Sequence, residues 1–159
     1  MVAPASPPLR LVLDTNVVVA GLLWIGPPRR LIELAIAGEV LELFTSAALF
    51  DELAHTLGYS KFATRSESLG TSVETLLAQY TALVNLVAPV SVPRVVANDA
   101  DDDHVIAAAV AARAALIVTG DRKHLLPIGS HKGIAIVTAR AVSTGSRQQA
   151  RRESADWLG

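Results

Sequence analysis

Short apolar runs rich in β-branched residues alternate along the chain with longer segments whose apolar residues recur at helical spacing. Runs of the first kind predict buried strands, because a parallel strand that is covered on both faces carries few polar positions. The predicted strands are LRLVLD (9–14), VLELFT (40–45), NLVAPV (85–90), ALIVTGD (115–121) and GIAIVTA (133–139).

Segments of the second kind predict helices between these strands. Gly38 and Gly58 end two of them, and Ser46 is a suitable N-cap for one. The polar segment YSKFATRSESLG (59–70) predicts a loop, and Trp24 is expected in the core. The predicted helices are NVVVAGLLW (16–24), RRLIELAIAG (29–38), AALFDELAHTLG (47–58), SVETLLAQYTALVNL (72–86) and DADDDHVIAAAVAARA (99–114).

This alternation predicts βαβ units and hence an α/β fold, in which a mainly parallel, about five-stranded sheet carries helices on both faces. We expect one domain over residues 9–142, since a chain of 159 residues has about the length of a single domain. Residues 1–8 hold three prolines and no basic residue, which predicts a tail and not a signal peptide. Residues 143–159 predict a polar tail or a terminal helix.

Composition narrows the class of protein. Lys and Arg total 14 against 15 Asp and Glu, and a net charge of −1 argues against a protein that coats polyanions. A nuclease stays possible, because its own acidic site would offset a basic rim. The absence of cysteine excludes disulfides and thiolate metal sites. The apolar stretch around Asp14 and Asn16 is too short and too interrupted to span a bilayer, so we expect a soluble, cytoplasmic protein.

Two acids follow predicted strands at the same edge of the sheet. Asp14 ends the first strand, and Asp121 lies just beyond LIVT. Because the carboxyl ends of parallel strands meet at one edge, these acids converge if their strands are neighbours. A carboxylate in an apolar stretch is costly unless it is paired or coordinated. Simpler interpretations stay open, since Asp14 can cap the next helix and Asp121 can belong to a Gly-Asp turn.

Two more acidic groups add to this edge. They are the pair Asp51-Glu52 and the four aspartates Asp99, Asp101, Asp102 and Asp103. Carboxylates that are brought together either raise their pKa values or bind a cation. The four histidines show no ligand spacing and cysteine is absent, so oxygen ligands predominate. Such ligands select Mg²⁺ or Mn²⁺ over zinc.

Three segments in this order resemble the motifs of PIN-domain ribonucleases: VLDTNVVVAGLL (12–23), TSAALFDELAHTL (45–57) and DADDDHVIAAAVAARAALIVTGD (99–121). The resemblance covers roughly residues 9–140. Within that family the chain resembles the PIN toxins of bacterial toxin–antitoxin pairs. The resemblance implies a three-layer α/β/α sandwich, in agreement with the strand and helix pattern.

Carried over position by position, the resemblance makes Asp14 the first metal-binding acid and Asn16 the polar neighbour that orients it. Ser46 matches the residue that opens a helix, and Glu52 on that helix matches the second acid. We expect Glu52 to complete the metal shell or to orient the attacking water.

The third acid is either Asp102 or Asp103. Asp102 places Ala109 at the family's small-residue position, whereas counting back from Thr119 favours Asp103. Asp121, preceded by Thr119, matches the last acid. The implied ligands of Mg²⁺ (or Mn²⁺) are Asp14, Asp102 or Asp103, and Asp121.

The implied activity is hydrolysis of RNA phosphodiester bonds by a Mg²⁺-dependent endoribonuclease. Arg122, Lys123 and His124 follow the TGD motif and are expected to steer the phosphate backbone. The resemblance also implies a homodimer and a cognate antitoxin that blocks the acidic crevice. The sparse aromatic residues predict no platform for base stacking.

Two other classes of protein stay open. One is a PIN-like module that binds RNA or protein and hydrolyses nothing. The other is a phosphoryl-accepting, receiver-like domain, which is also acidic at its strand ends. That chemistry needs a lysine after a late strand, where this chain has Arg140.

Overall fold

The computed structural model of the chain describes residues 7–91 and 100–144, with side chains from residue 102 onward in the second range. Asp99 and most of the two predicted tails lie outside the described residues, and so does the side chain of Asp101. Among the described helices, none combines the length and the apolar character that a bilayer crossing requires.

A six-stranded sheet occupies the middle of the described residues, and it is parallel except for one edge strand. Its spatial order is β3-β2-β1-β4-β6-β5. The order of the strands along the chain therefore reverses between β1 and β4, the place where open α/β sheets form their crevice. The strands are β1 (Leu9–Leu13), β2 (Leu41–Ser46), β3 (Asn85–Val87), β4 (Leu116–Val118), β5 (Ser130–His131) and β6 (Ile134–Val137).

The predicted strands all occur, and one was missed. The missed strand, β5, pairs antiparallel with β6 through a tight turn in which Lys132 and Gly133 both have positive φ values, 49° and 80°. Two residues are too few to show an alternating pattern, so this edge strand cannot be predicted from periodicity.

Six α-helices connect the strands within the described ranges. Three of them begin at the side-chain caps Asp14, Ser46 and Ser72, and α2 begins with two prolines, whose fixed φ suits a first turn. The helices are α1 (Thr15–Leu23), α2 (Pro27–Ala37), α3 (Ala47–Leu57), α4 (Ser60–Ser68), α5 (Val73–Leu83) and α6 (Ala100–Ala112). A 3₁₀ turn (Leu126–Ile128) precedes β5, and residues 139–144 are again helical.

The prediction of a loop at 59–70 is wrong, because this segment forms α4. Its composition is polar, yet one narrow stripe of the helix packs inward. Ser66 is buried there and donates its hydroxyl to the carbonyl of Phe62 at 2.9 Å, which satisfies the hydroxyl within the helix. A stripe this narrow is hidden when the polarity of the segment is averaged.

Apolar side chains fill both faces of the sheet, which confirms the predicted α/β/α arrangement. The first face packs against α1, α2, α3 and α5, and the second packs mainly against α6. Leu11, Leu13, Leu43 and Val118 belong to the first core. Val12, Phe44, Ile117 and Ile106 belong to the second.

Two residues of α1 define how this helix packs. A Cβ atom on Gly21 would lie 2.6 Å from Ile32 Cδ1 and 3.0 Å from the backbone of Pro28, so α1 and α2 approach closely only because this side chain is absent. Trp24, expected in the core, instead lies at the surface and is 43% exposed. The helix ends at Leu23, and the extended backbone of Trp24 turns its ring outward.

Candidate metal centre

The carboxyl ends of β1 and β4 lie side by side, which is the condition for Asp14 and Asp121 to converge. Asp14 directly follows β1, and its backbone N–H donates to the carbonyl of Val118 in β4 at 2.9 Å. Asp14 is 8% exposed, so its carboxylate is buried at the point where the strand order reverses.

Two hydrogen bonds hold the Asp14 carboxylate in place. Oδ1 accepts from the backbone N–H of Thr15 at 2.8 Å, which caps α1. Oδ2 accepts from the hydroxyl of Thr119 at 2.8 Å. Asp14 therefore is a helix cap, and it is also tied to the residue that follows β4.

Thr119 links Asp14 to Asp121. Its Oγ1 donates to Asp14 and accepts from the backbone N–H of Asp121 at 3.0 Å. Asp121 Oδ1 accepts in turn from the backbone N–H groups of Lys123 and His124, at 3.0 and 3.1 Å. The TGD segment is thus a turn in which the hydroxyl and the carboxylate satisfy the backbone.

The pKa of Asp121 lies below its ordinary value. Burial raises it, but this effect is outweighed by the N–H groups of His124 and Lys123, by a hydrogen bond with the Asp102 side chain and by the nearby His124 ring. All of these contacts favour the ionised form, so Asp121 is a carboxylate at neutral pH.

The first turn of α6 brings further acids to the same place. Asp102 and Asp103 are both buried, with 6% and 1% of their surface exposed. Ligand atoms of Asp102, Asp121 and His124 all lie within 4.8 Å of one another. His124 Nδ1 is 3.4 Å from Asp121 Oδ2 and 3.9 Å from Asp102 Oδ2.

This donor set fits a hard divalent cation. Two carboxylates from separate elements, Asp102 on α6 and Asp121 after β4, point their oxygens toward one small volume. Like charges so close together are stabilised by a cation or by a protonated imidazole. Carboxylate oxygens suit Mg²⁺ and Mn²⁺, and an imidazole favours the transition metal.

Three other predicted site residues lie at the end of β2, on α3 and on α1. Ser46 is buried and accepts from the backbone N–H of Leu49 at 3.3 Å, so it caps α3 as predicted. Glu52 is half-buried in the second turn of α3. Asn16 is exposed on α1, and the groups shown to hold the Asp14 carboxylate are Thr15 and Thr119.

The group of three does not include every predicted acid. Asp14, Glu52 and Asp103 lie outside the 4.8 Å set, whereas Asp102 lies inside it. Arg122 and Lys123 are exposed immediately after Asp121.

The position of His124 differs from the prediction. The sequence predicts that His124 steers phosphate and that the histidines have no ligand spacing, whereas the ring of His124 lies beside Asp121 and Asp102. The signal was local, because a residue three positions after an aspartate returns to that aspartate when the intervening segment forms a turn. His124 lies at this distance from Asp121.

A comparison with protein families agrees with this geometry. Residues 10–123 match the PIN domain family, and since they make up most of the 159 residues, the chain belongs to this family. PIN domains are generally nucleases, so membership indicates nuclease activity and a nucleic-acid substrate. No curated protein shows significant similarity to the chain.

Proposed function

We propose that the protein is a divalent-metal-dependent endoribonuclease and that it acts as the toxin of a toxin–antitoxin pair. The observation that carries the enzymatic part is the convergence of Asp102, Asp121 and His124 beside the linked pair Asp14 and Thr119. These groups come from three separate elements of a nuclease fold and meet where its crevice lies.

The proposed ligands of Mg²⁺ (or Mn²⁺) are Asp14, Asp102 and Asp121. The closeness of Asp102 to Asp121 supports Asp102 over Asp103 as the third acid. A bound ion supplies Lewis-acid stabilisation of the charge that develops on the phosphoryl oxygens and lowers the pKa of the attacking water.

The remaining residues orient the reactants. Thr119 holds the Asp14 carboxylate, and Glu52 on α3 accepts a proton of the attacking water or fixes its position. The exposed side chains of Arg122 and Lys123 contact phosphates of the RNA at the rim.

Hydrolysis of RNA by the purified protein tests the enzymatic part. We expect cleavage with Mg²⁺, no cleavage in EDTA, and a loss of about a hundredfold or more in Asp14→Asn, because the preorganised charge stabilisation is removed. Asp51→Asn is the matched control, since Asp51 is exposed on α3. Equal cleavage by wild type and Asp14→Asn would identify a contaminant and refute the proposal.

Calorimetry separates this enzyme from a PIN-like module that only binds. An enzyme binds Mg²⁺ through Asp14 and Asp121 and hydrolyses RNA. Binding of RNA with neither carboxylate-dependent Mg²⁺ binding nor hydrolysis would favour the module.

The toxin role, the homodimer and the cytoplasmic location rest on the resemblance to PIN toxins. We expect expression of the chain to arrest bacterial growth, and co-expression of the small protein encoded next to it to restore growth. Arrest by Asp14→Asn at the wild-type level would contradict a toxic nuclease.

A further inference from the structure

A partly exposed group of rings and cations lies directly after α1 and along the start of α4, where Phe62 and Arg65 are half-buried. This aromatic–cationic surface consists of Trp24, Tyr59, Lys61, Phe62 and Arg65. The rings of Tyr59 and Phe62 are stacked, with centroids 6.5 Å apart and planes at 23°, and Trp24 meets Phe62 edge-on at 6.1 Å. The small number of aromatic residues predicts no platform for base stacking, but α4 brings two rings next to Trp24.

The two cations lie against these rings. Lys61 Nζ is 4.8 Å from the Phe62 centroid, and Arg65 Cζ is 5.4 Å from that of Trp24. Arg65 Nε also donates to the carbonyl of Leu23 at 3.1 Å, which fixes the guanidinium beside the indole. The ion pairs seen between described residues join His124 to Asp102 and Asp121, and neither involves Lys61 or Arg65.

We propose that this surface binds single-stranded RNA and is a docking site for the substrate strand. The inference deepens the proposed function and rests on RNA being the substrate. Trp24 and Tyr59 are 43% and 48% exposed, so each presents ring area to a base. Single-stranded nucleic acid is held by such rings together with cations that contact its phosphates.

The charge distribution favours RNA over a protein as the occupant. The metal centre is acidic, so a polyanion is attracted by the cations around it, both those at its rim and those on this surface. Lysine is depleted in the cores of protein interfaces, so the presence of Lys61 in this surface also favours RNA.

The surface is within reach of the metal centre. Asp14 caps the start of α1 and Trp24 its end, and this helix has nine residues and so spans roughly 13 Å. A strand of several nucleotides can therefore contact both places.

Binding is measured without cleavage, in EDTA and in an Asp14→Asn background. The probe is an oligouridylate of about 12 nucleotides, within the usual range of single-strand sites. The oligouridylate carries a 5′ fluorescein, so its fluorescence anisotropy reports Kd equally for variants that lack Trp24. We expect the anisotropy to rise when the wild-type surface binds the oligonucleotide.

Variants locate the contact. We expect Trp24→Leu or Tyr59→Leu to raise Kd about tenfold, Trp24→Phe to retain most of the affinity, and Lys61→Gln to reduce the salt dependence by roughly 0.7 in the logarithmic slope. Ile36→Ala and Arg140→Gln are controls at exposed positions elsewhere. Thermal unfolding of each variant verifies that it is folded.

The outcomes distinguish this surface from the proposed enzyme. Unchanged Kd in Trp24→Leu, Tyr59→Leu and Lys61→Gln overturns the surface even if the wild type hydrolyses RNA. Ring-dependent binding by a protein that hydrolyses nothing supports the surface and contradicts the enzyme. A change in sedimentation mass in Trp24→Leu with unchanged Kd would assign these residues to contacts between copies of the chain and overturn the proposal.

Discussion

The hydroxyl of Thr119 donates to Asp14 Oδ2 at 2.8 Å and joins residues that are 105 positions apart in the sequence. The same oxygen accepts from the N–H of Asp121. One threonine thus connects two acids that follow neighbouring strands of the sheet.

Removal of that hydroxyl should destabilise the fold. We expect Thr119→Val to lower the free energy of unfolding by about 1–3 kcal/mol, because a buried carboxylate oxygen and a backbone N–H each lose one hydrogen bond. Urea denaturation measures this. Thr119→Ser should retain most of the stability, and Thr81→Val, whose hydroxyl donates to Leu77 at an exposed position, should change it by less than about 0.5 kcal/mol. Equal losses in Thr119→Val and Thr81→Val would contradict the link.

The two candidates for the third acid should behave differently. We expect Asp102→Asn to weaken Mg²⁺ binding at least about tenfold, or roughly 1.4 kcal/mol, in calorimetry. Asp103→Asn changes the more buried position, so part of the protein can unfold. The molecules that remain folded should still bind Mg²⁺. The reverse ranking would assign the ligand role to Asp103.

Asp121 should make stability depend on pH in the acid range. Its folded pKa lies below the ordinary value of 3.8, so the unfolded chain binds a proton more readily than the folded one. This contribution is complete above the unfolded pKa and is lost as pH falls through the folded pKa. We expect wild-type stability to decline below about pH 4 more steeply than that of Asp121→Asn. Identical profiles of the two proteins would show that Asp121 is not the source.

Asp121→Asn also separates the role of Asp121 in the turn from its proposed role as a metal ligand. An asparagine oxygen at position 121 can still accept from the N–H groups of Lys123 and His124. At neutral pH, Asp121→Asn should therefore lose only the part of the stability that depends on the charge, together with Mg²⁺ affinity, whereas Asp121→Ala should also lose the hydrogen bonds of the turn. Thermal unfolding and calorimetry on the two variants decide this.

His124 should influence which ion is preferred. An imidazole ligand adds more affinity for Mn²⁺ than for Mg²⁺, so we expect His124→Ala to reduce Mn²⁺ affinity by about tenfold and Mg²⁺ affinity by less. Calorimetric titration with each ion measures the difference. A gain in affinity for both ions would instead show that the ring acts as an internal counter-ion to Asp102 and Asp121.

Much of the architecture was predictable because each buried strand carries its own local signal. The runs at Leu9–Leu13 and Leu116–Val118 are apolar enough to be identified alone. That these two strands are neighbours could not be predicted, since strand order depends on packing between distant segments. The helix at Ser60–Ser68 was missed because its buried stripe is too narrow to stand out from polar neighbours.

For the candidate site, too, the features set by local sequence were predictable and those set by packing were not. Asp14 and Asp121 were identified as acids at strand ends, a feature that residue order alone reveals. The choice between Asp102 and Asp103 was not predictable, since neighbouring helix positions point about 100° apart and the direction is set by how α6 packs. His124 joins the group through a turn, and turns of this kind leave little periodic pattern.

Gly21 connects the packing of α1 with its chemistry. A methyl group at this position would meet Pro28 and Ile32, so Gly21→Ala would push the two helices apart. α1 is a short rigid rod with Asp14 at its far end, and a tilt at one end displaces the other. The position of Asp14 therefore depends partly on Gly21, which lies about two helical turns further along α1.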